Sequence, residues 1–247
     1  MHLAEATWTD ADAAETDLAL LPTGSTEQHG PHAPMGTDAL SAETIAAEAA
    51  EAHDGEVVVA PTVNVGISEE HRHFTGSLWV SEDTFRSYVR ETVTSLASHG
   101  WDRVVVVNGH GGNTAALREV CGGITRQDDA YAVPWTWFDA LDFDEYGVDL
   151  GHGGPAETAF VQAVRPELVD EERFEAAAAG AGDAFGEFDQ GANLAYDFAA
   201  FSESGNIGDP SEGDAQLGKQ LLADATEALV SLLETVEERD VKAPEHR

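Results

Sequence analysis

The 247-residue chain has a single cysteine, Cys121, and only 12 lysines and arginines. One cysteine cannot close an intramolecular disulfide, so a disulfide-stapled secreted scaffold is excluded and a Cys-rich structural zinc site is disfavoured. Against the 12 basic residues stand 47 acids, a formal net charge of −35. Such a surface repels nucleic-acid phosphates and anionic membranes. No run approaches the ~18 apolar residues of a spanning helix, and the leading MHLAEATWTDADAAE carries acids where a signal peptide carries basic residues. A soluble, cytoplasmic protein without nucleic-acid or membrane partners is expected.

Five tryptophans and ten phenylalanines supply the bulk for a packed core, which argues against disorder. The acids are scattered along the chain, so they read as a solvated surface suited to a very salty cytoplasm, and stability is expected to depend on salt. The length suits one α/β domain over residues 1–247. Short apolar runs alternate with amphipathic stretches, the pattern of βαβ units around a mostly parallel sheet. Strands are expected at Leu18–Leu21, Val57–Ala60, Val104–Val107 and Tyr131–Val133. Helices are expected from Thr37 to about His53, from Ser81 to about Ser98, from Pro155, and from Gly213 to about Arg239, the last with Leu217, Leu221, Ala225, Leu229 and Leu232 on one face. Residues 171–213 contain Phe174, Phe185, Phe188, Tyr196, Phe198 and Phe201, and read as an ordered excursion.

Three blocks carry the unusual chemistry, all expected at the ends of predicted strands, where open α/β sheets place their crevices. In GSTEQHGPHAPMGTD, residues 24–38, Glu27 and His29 are two apart; in an extended segment they point to one side and can share a metal. Asp38 stands at the start of the next helix, where its carboxylate could bridge two ions. In VVVVNGHGGN, residues 104–113, four valines describe a strand buried on both faces, and His110 follows it among glycines that permit close backbone approach. In DLGHGGPAETA, residues 149–159, His152 sits in a glycine-rich turn and Glu157 in the first helical turn. Imidazoles and carboxylates together suit a hard or borderline divalent ion.

Through GSTEQHGPHAPMGTD, GISEEHRHFTGS, NGHGGN and HGGPAETA, which occur in the family's order, the chain resembles the creatininases, or creatinine amidohydrolases. The resemblance implies a three-layer αβα sandwich, commonly a hexamer, with two divalent ions (Zn, Mn or Fe) hydrolysing a non-peptide C–N bond of a cyclic amide or formamide. It assigns Glu27 and His110 to one ion, His29 to the other, Asp38 to the bridge and His152 to catalysis, and it puts Ser68 beside the substrate. Glu157 is either a metal ligand or the partner that orients His152. His32 and His71 are expected to line the substrate site, and Asn108 and Asn113 to fix the glycine turn.

Creatininases proper carry Tyr-Glu where this chain has Gly111 and Gly112, so that glutamate ligand is absent unless Glu157 or water replaces it. They also carry a tryptophan where this chain has Val148, which removes part of a stacking surface. Creatinine is therefore expected to be a poor substrate. A deformylase acting on a formylamino-pyrimidine nucleotide in riboflavin and deazaflavin synthesis is an alternative within the family. A metal-dependent binding protein without turnover is an alternative outside catalysis. A phosphohydrolase would need basic clamps, and only Arg72 and Arg118 lie near the blocks.

Overall fold

A computed structural model describes residues 1–241. In chain order its elements are α1 (Trp8–Asp12), β1 (Leu18–Thr23), α2 (Thr37–Ala52), β2 (Val58–Val59), α3 (Glu82–Ser98), β3 (Arg103–Asn108), α4 (Thr114–Gln127), β4 (Tyr131–Thr136), α5 (Phe143–Tyr146), α6 (Pro155–Val164), α7 (Phe174–Gly180), the strands β5 (Phe188–Asp189) and β6 (Ala192–Asn193), and α8 (Ala215–Glu238). Strands β2, β1, β3 and β4, in that order, form a parallel sheet. Because strand side chains alternate, β1 and β3 feed two cores. Leu18, Leu20, Val105 and Val107 pack beneath α2, α6 and α8. Ala19, Leu21, Val104 and Val106 pack beneath α3 and α4 on the opposite face. The result is the expected three-layer αβα sandwich.

Helix α8 caps the first face. Asp214 accepts hydrogen bonds from the backbone N–H groups of Gln216 and Leu217 at its start, and Leu221, Ala225, Leu229, Leu233 and Val236 are buried along one stripe. Burial of each such leucine contributes about 1.5–3 kcal/mol. The stripe closes on Leu233 rather than on the expected Leu232, which is only partly buried. The strand order 2-1-3-4 makes the chain turn in opposite directions after β1 and β3, and a crevice opens between the carboxyl ends of those two strands. The first two chemical blocks begin there.

Candidate metal centre

Close backbone contact brings the blocks together. Beyond β3, a Cβ on Gly109 would collide with the carbonyl oxygen of Asp38, and beyond β1 a Cβ on Gly24 would collide with the backbone of Asp38 and Ala39. Glycine at both places lets the first turn of α2 lie against the ends of β1 and β3. The asparagines fix the turn that follows. Asn108 Nδ2 donates to the His110 carbonyl at 2.7 Å, Asn108 Oδ1 accepts from the His110 N–H at 3.2 Å, and Asn113 Nδ2 donates to the Gly24 carbonyl at 3.1 Å. Pro155 occupies the first turn of α6, a position where its missing N–H costs nothing, and Glu157 follows in the same turn.

Asp38 stands between two imidazoles. Its Oδ1 lies 2.8 Å from His29 Nε2 and its Oδ2 3.1 Å from His110 Nδ1. Glu27 Oε1 lies 3.2 Å from the same His110 nitrogen, and Glu157 Oε2 lies 3.7 Å from His29 Nε2. Glu27, Asp38 and His110 thus form one set of converging donor atoms, His29, Glu157 and His152 a second, and Glu27, His71 and His152 a third. Glu27 and His29, read from their spacing as able to share one ion, fall in different sets. The segment that carries them leaves β1 at Thr23 and is no longer a regular strand.

The far nitrogens of both ligand-like imidazoles are occupied by backbone carbonyls: His110 Nε2 donates to Ile67 at 2.6 Å and His29 Nδ1 to Glu27 at 3.1 Å. That fixes their lone pairs toward the carboxylates. Glu27 Oε2, His29 Nε2 and Asp38 Oδ2 are buried without an aligned hydrogen bond. Lone pairs facing lone pairs at these separations fit cations between them, and imidazole with carboxylate is a donor set for Zn, Mn or Fe.

Electrostatics agree. Glu27, Asp38 and Glu157 are the acids among the buried residues. Burial raises the pKa of Glu27 and takes that of Glu157 up to about 7. Burial acts against the charged form of Asp38 too, but His29 and His110 hold it below the ordinary carboxylate range. Burial would depress His29, yet Asp38, Glu157 and Glu27 outweigh it and carry its pKa to about 10. His110 is likewise raised well above its usual value, burial being overcome by Glu27 and Asp38. Three buried carboxylates demand positive charge, which divalent ions would supply while the imidazoles stay neutral.

A cavity of about 190 Å³ opens onto this cluster, with Glu27, Asp38, Glu70, His71, His110, His152 and Glu157 among its walls. His152 Nε2 donates to the Gln28 carbonyl at 2.6 Å, and its Nδ1 lies 3.8 Å from Glu27 Oε1. Its orientation comes from Gln28, whereas Glu157 Oε2 accepts from the Gly153 N–H at 2.6 Å. Two expected substrate-side residues lie elsewhere. Ser68 is fully buried, its hydroxyl bonded to Ser25 Oγ at 2.7 Å and the Leu78 carbonyl at 3.0 Å. His32 is buried behind α6 against Thr158 Oγ1 at 2.9 Å, and burial takes its pKa down to about 4.

Other wall residues were not assigned to the site from the sequence, although Phe185 and Phe198 were among the aromatics marking the excursion. Phe198 stacks on His71 with ring centroids 4.0 Å apart, and Phe185 and Phe138 join it on the cavity wall. The aromatic surface of the cavity comes from Phe138, Phe185 and Phe198. At Gly112 a side chain would meet the Ile67 carbonyl, His110 Nε2 and, at 3.1 Å, Glu70 Oε1. The space beside Gly112 is thus closed off by other groups, and Glu157 lies on the His29 side of the cluster. Glu70 could have been suspected from its position beside His71 in SEEH.

A family model described as creatininase, creatinine amidohydrolase, matches residues 4–233. The chain is 33% identical over 220 residues to the mycofactocin precursor peptide peptidase of Mycobacterium ulcerans, covering 86% of this chain and 82% of that protein. It is 31% identical over 199 residues to the creatinine amidohydrolase of Pseudomonas putida, covering 70% and 75%. A manganese creatininase structure superposes with a TM-score of 0.81 at 23% identity over 96% of this chain and 99% of that one. A mutant creatininase of the Zn–Zn type gives 0.81 at 22% identity over 96% and 98%.

Proposed function

The chain belongs to the creatininase family, and from that premise we propose that it hydrolyses a non-peptide amide C–N bond, of a cyclic amide or a formamide, with two divalent ions. The observation that carries this reading is the division of Asp38, one oxygen toward His29 and the other toward His110. Glu27, Asp38 and His110 would hold one ion, and His29, Asp38 and Glu157 the other. Bound there, Zn, Mn or Fe supplies Lewis acidity that activates water and polarises the amide carbonyl.

The chain's own groups do the rest. His152 is neutral near pH 7, because burial pushes its pKa well below the ordinary value. Its Nδ1 takes the proton from the attacking water and returns it to the leaving nitrogen. Glu27 Oε1, 3.8 Å away, stabilises the imidazolium that forms in between. Glu157 acts as a ligand in this scheme, since the Gln28 carbonyl already orients His152. Phe198 and Phe185, packed edge to face, present an apolar wall to the substrate and exclude water from one side.

The test is a substrate panel offered to protein loaded with Zn2+ or Mn2+: cyclic amides including creatinine, N-formyl amines including a formylamino-pyrimidine nucleotide, and short peptides with free C-termini. Turnover of the cyclic amides or formamides, with creatinine among the slower, is expected. A second reading, cleavage at a peptide end, is favoured by the relatives named mycofactocin precursor peptide peptidases. Turnover confined to peptides would establish it over the first. No turnover of any amide by loaded protein would leave a metal-dependent binding protein.

A further inference from the structure

Gln28 lies between Glu27 and His29, is buried, and touches both cavity histidines. Its amide orientation is fixed by two backbone groups. Oε1 accepts from the Gly30 N–H at 2.9 Å, and Nε2 donates to the Gly205 carbonyl at 2.6 Å. One proton of the amide NH2 remains, and His71 Nδ1 lies 2.8 Å away to accept it. An imidazole that accepts at Nδ1 carries its own proton at Nε2 when neutral. That N–H faces Glu27 Oε1 at 3.3 Å.

The same accounting settles His152. Its Nε2 stands 3.1 Å from Gln28 Nε2, whose two protons are already committed, so this approach contains no hydrogen bond. The Nε2 proton goes instead to the Gln28 carbonyl at 2.6 Å, and Nδ1 keeps a free lone pair. Two rings with centroids 4.6 Å apart, chemically identical in the sequence, thereby receive opposite roles. His71 offers the cavity an N–H, and His152 offers it a base.

We propose that Gln28 is a positioning residue that sets the tautomer of His71, so that His71 acts only as a donor and His152 alone accepts a proton. The contribution to His152 comes from the Gln28 backbone; the contribution to His71 comes from the side chain and is therefore open to mutation. Gln28→Met removes the donor and keeps the bulk. Gln28→Glu replaces the donor with an acceptor, which draws the His71 proton from Nε2 to Nδ1.

The test is histidine side-chain 15N NMR on full-length, Zn2+-loaded protein, where protonated and bare ring nitrogens resonate in separate ranges. Wild type should show both His71 and His152 protonated at Nε2 and bare at Nδ1. Gln28→Glu should move the His71 proton to Nδ1, and Gln28→Met should leave His71 a mixture, with His152 unchanged in both. A His71 proton at Nδ1 in wild type, zinc bound to His71 Nε2, or a His71 tautomer that ignores both substitutions overturns the proposal. The spectra do not depend on turnover, so they stand apart from the hydrolase reading, on which only the kinetic arm rests. There kcat should fall roughly 10- to 100-fold with KM nearly unchanged, the usual cost of losing a partner behind a site, and a fall confined to metal content would count against it.

Discussion

Asp38 is the side chain on which both proposed ion sites depend, because its oxygens face different imidazoles. Asp38→Asn keeps the shape and removes the charge. Elemental analysis of folded variant protein should show metal falling from about two ions per chain toward none, in keeping with the large cost of altering a ligand of a shared site. Two ions retained would contradict the bridging role. His29 makes a pH prediction for chelator-treated protein. Its folded pKa is about 10, against about 6.5 for an unfolded histidine. The folded state therefore holds the proton more tightly, and the resulting stability is complete below pH ~6.5 and is lost as pH rises toward about 10. The melting temperature of the metal-free protein should fall over that window, and the metal-loaded protein should fall less. A metal-free melting temperature that rises with pH would overturn this assignment.

At the level of elements, the site depends on how closely β3 and α2 approach. Gly109→Ala would drive a methyl group into the Asp38 carbonyl, whereas Gly111 has nothing around its Cβ position. The first substitution should cost about 1–3 kcal/mol in denaturant unfolding, the usual range for overpacking, and the second should be nearly neutral; equal effects would mean that this approach is not tight. Strands β1, β2 and β3 were readable because their apolar runs are buried on both faces, β4 as a short apolar run that is only partly buried, and each lies within a few residues of its expected place. Strand β4 runs on through Pro134 to Thr136, which an edge strand tolerates. Helix α4 was not anticipated; Gly122 and Gly123 weaken its helical signal. Glu27, His29, Asp38 and His110 could be picked out because unusual residues cluster beyond two strand ends, and His152 and Glu157 because they cluster in a glycine-rich turn and the first turn of α6, where the expected strand end is absent. Phe198 could not, because its position depends on how the excursion folds over the cavity, and Glu70 was signalled only by its place beside His71 in the short turn at Glu69–His71. Gln28 was hidden by its neighbours, since a period-two reading sends it to the opposite side.

For the molecule as a whole, Glu27, Asp38 and Glu157 are the acids in the buried set among the described residues; every other described acid is at least partly exposed. With a net charge of −35, repulsion across that surface opposes the compact state, and molar salt shortens the Debye length to about 3 Å. The melting temperature should therefore rise from about 0.1 to 3 M KCl, a range that spans weak and strong screening. A flat or falling series would mean that the acids serve another purpose. Particle size followed in the same series tests the homo-oligomer expected from the family resemblance. The central claim is that the cluster around Asp38 is a two-ion hydrolytic centre. Its most direct test is a titration of chelator-stripped protein with Zn2+ or Mn2+, with bound metal and amide hydrolysis measured on the same samples. Saturation near two ions per chain is expected, with hydrolysis appearing as the sites fill. Saturation at one ion or none, or hydrolysis that persists in stripped protein, would contradict it.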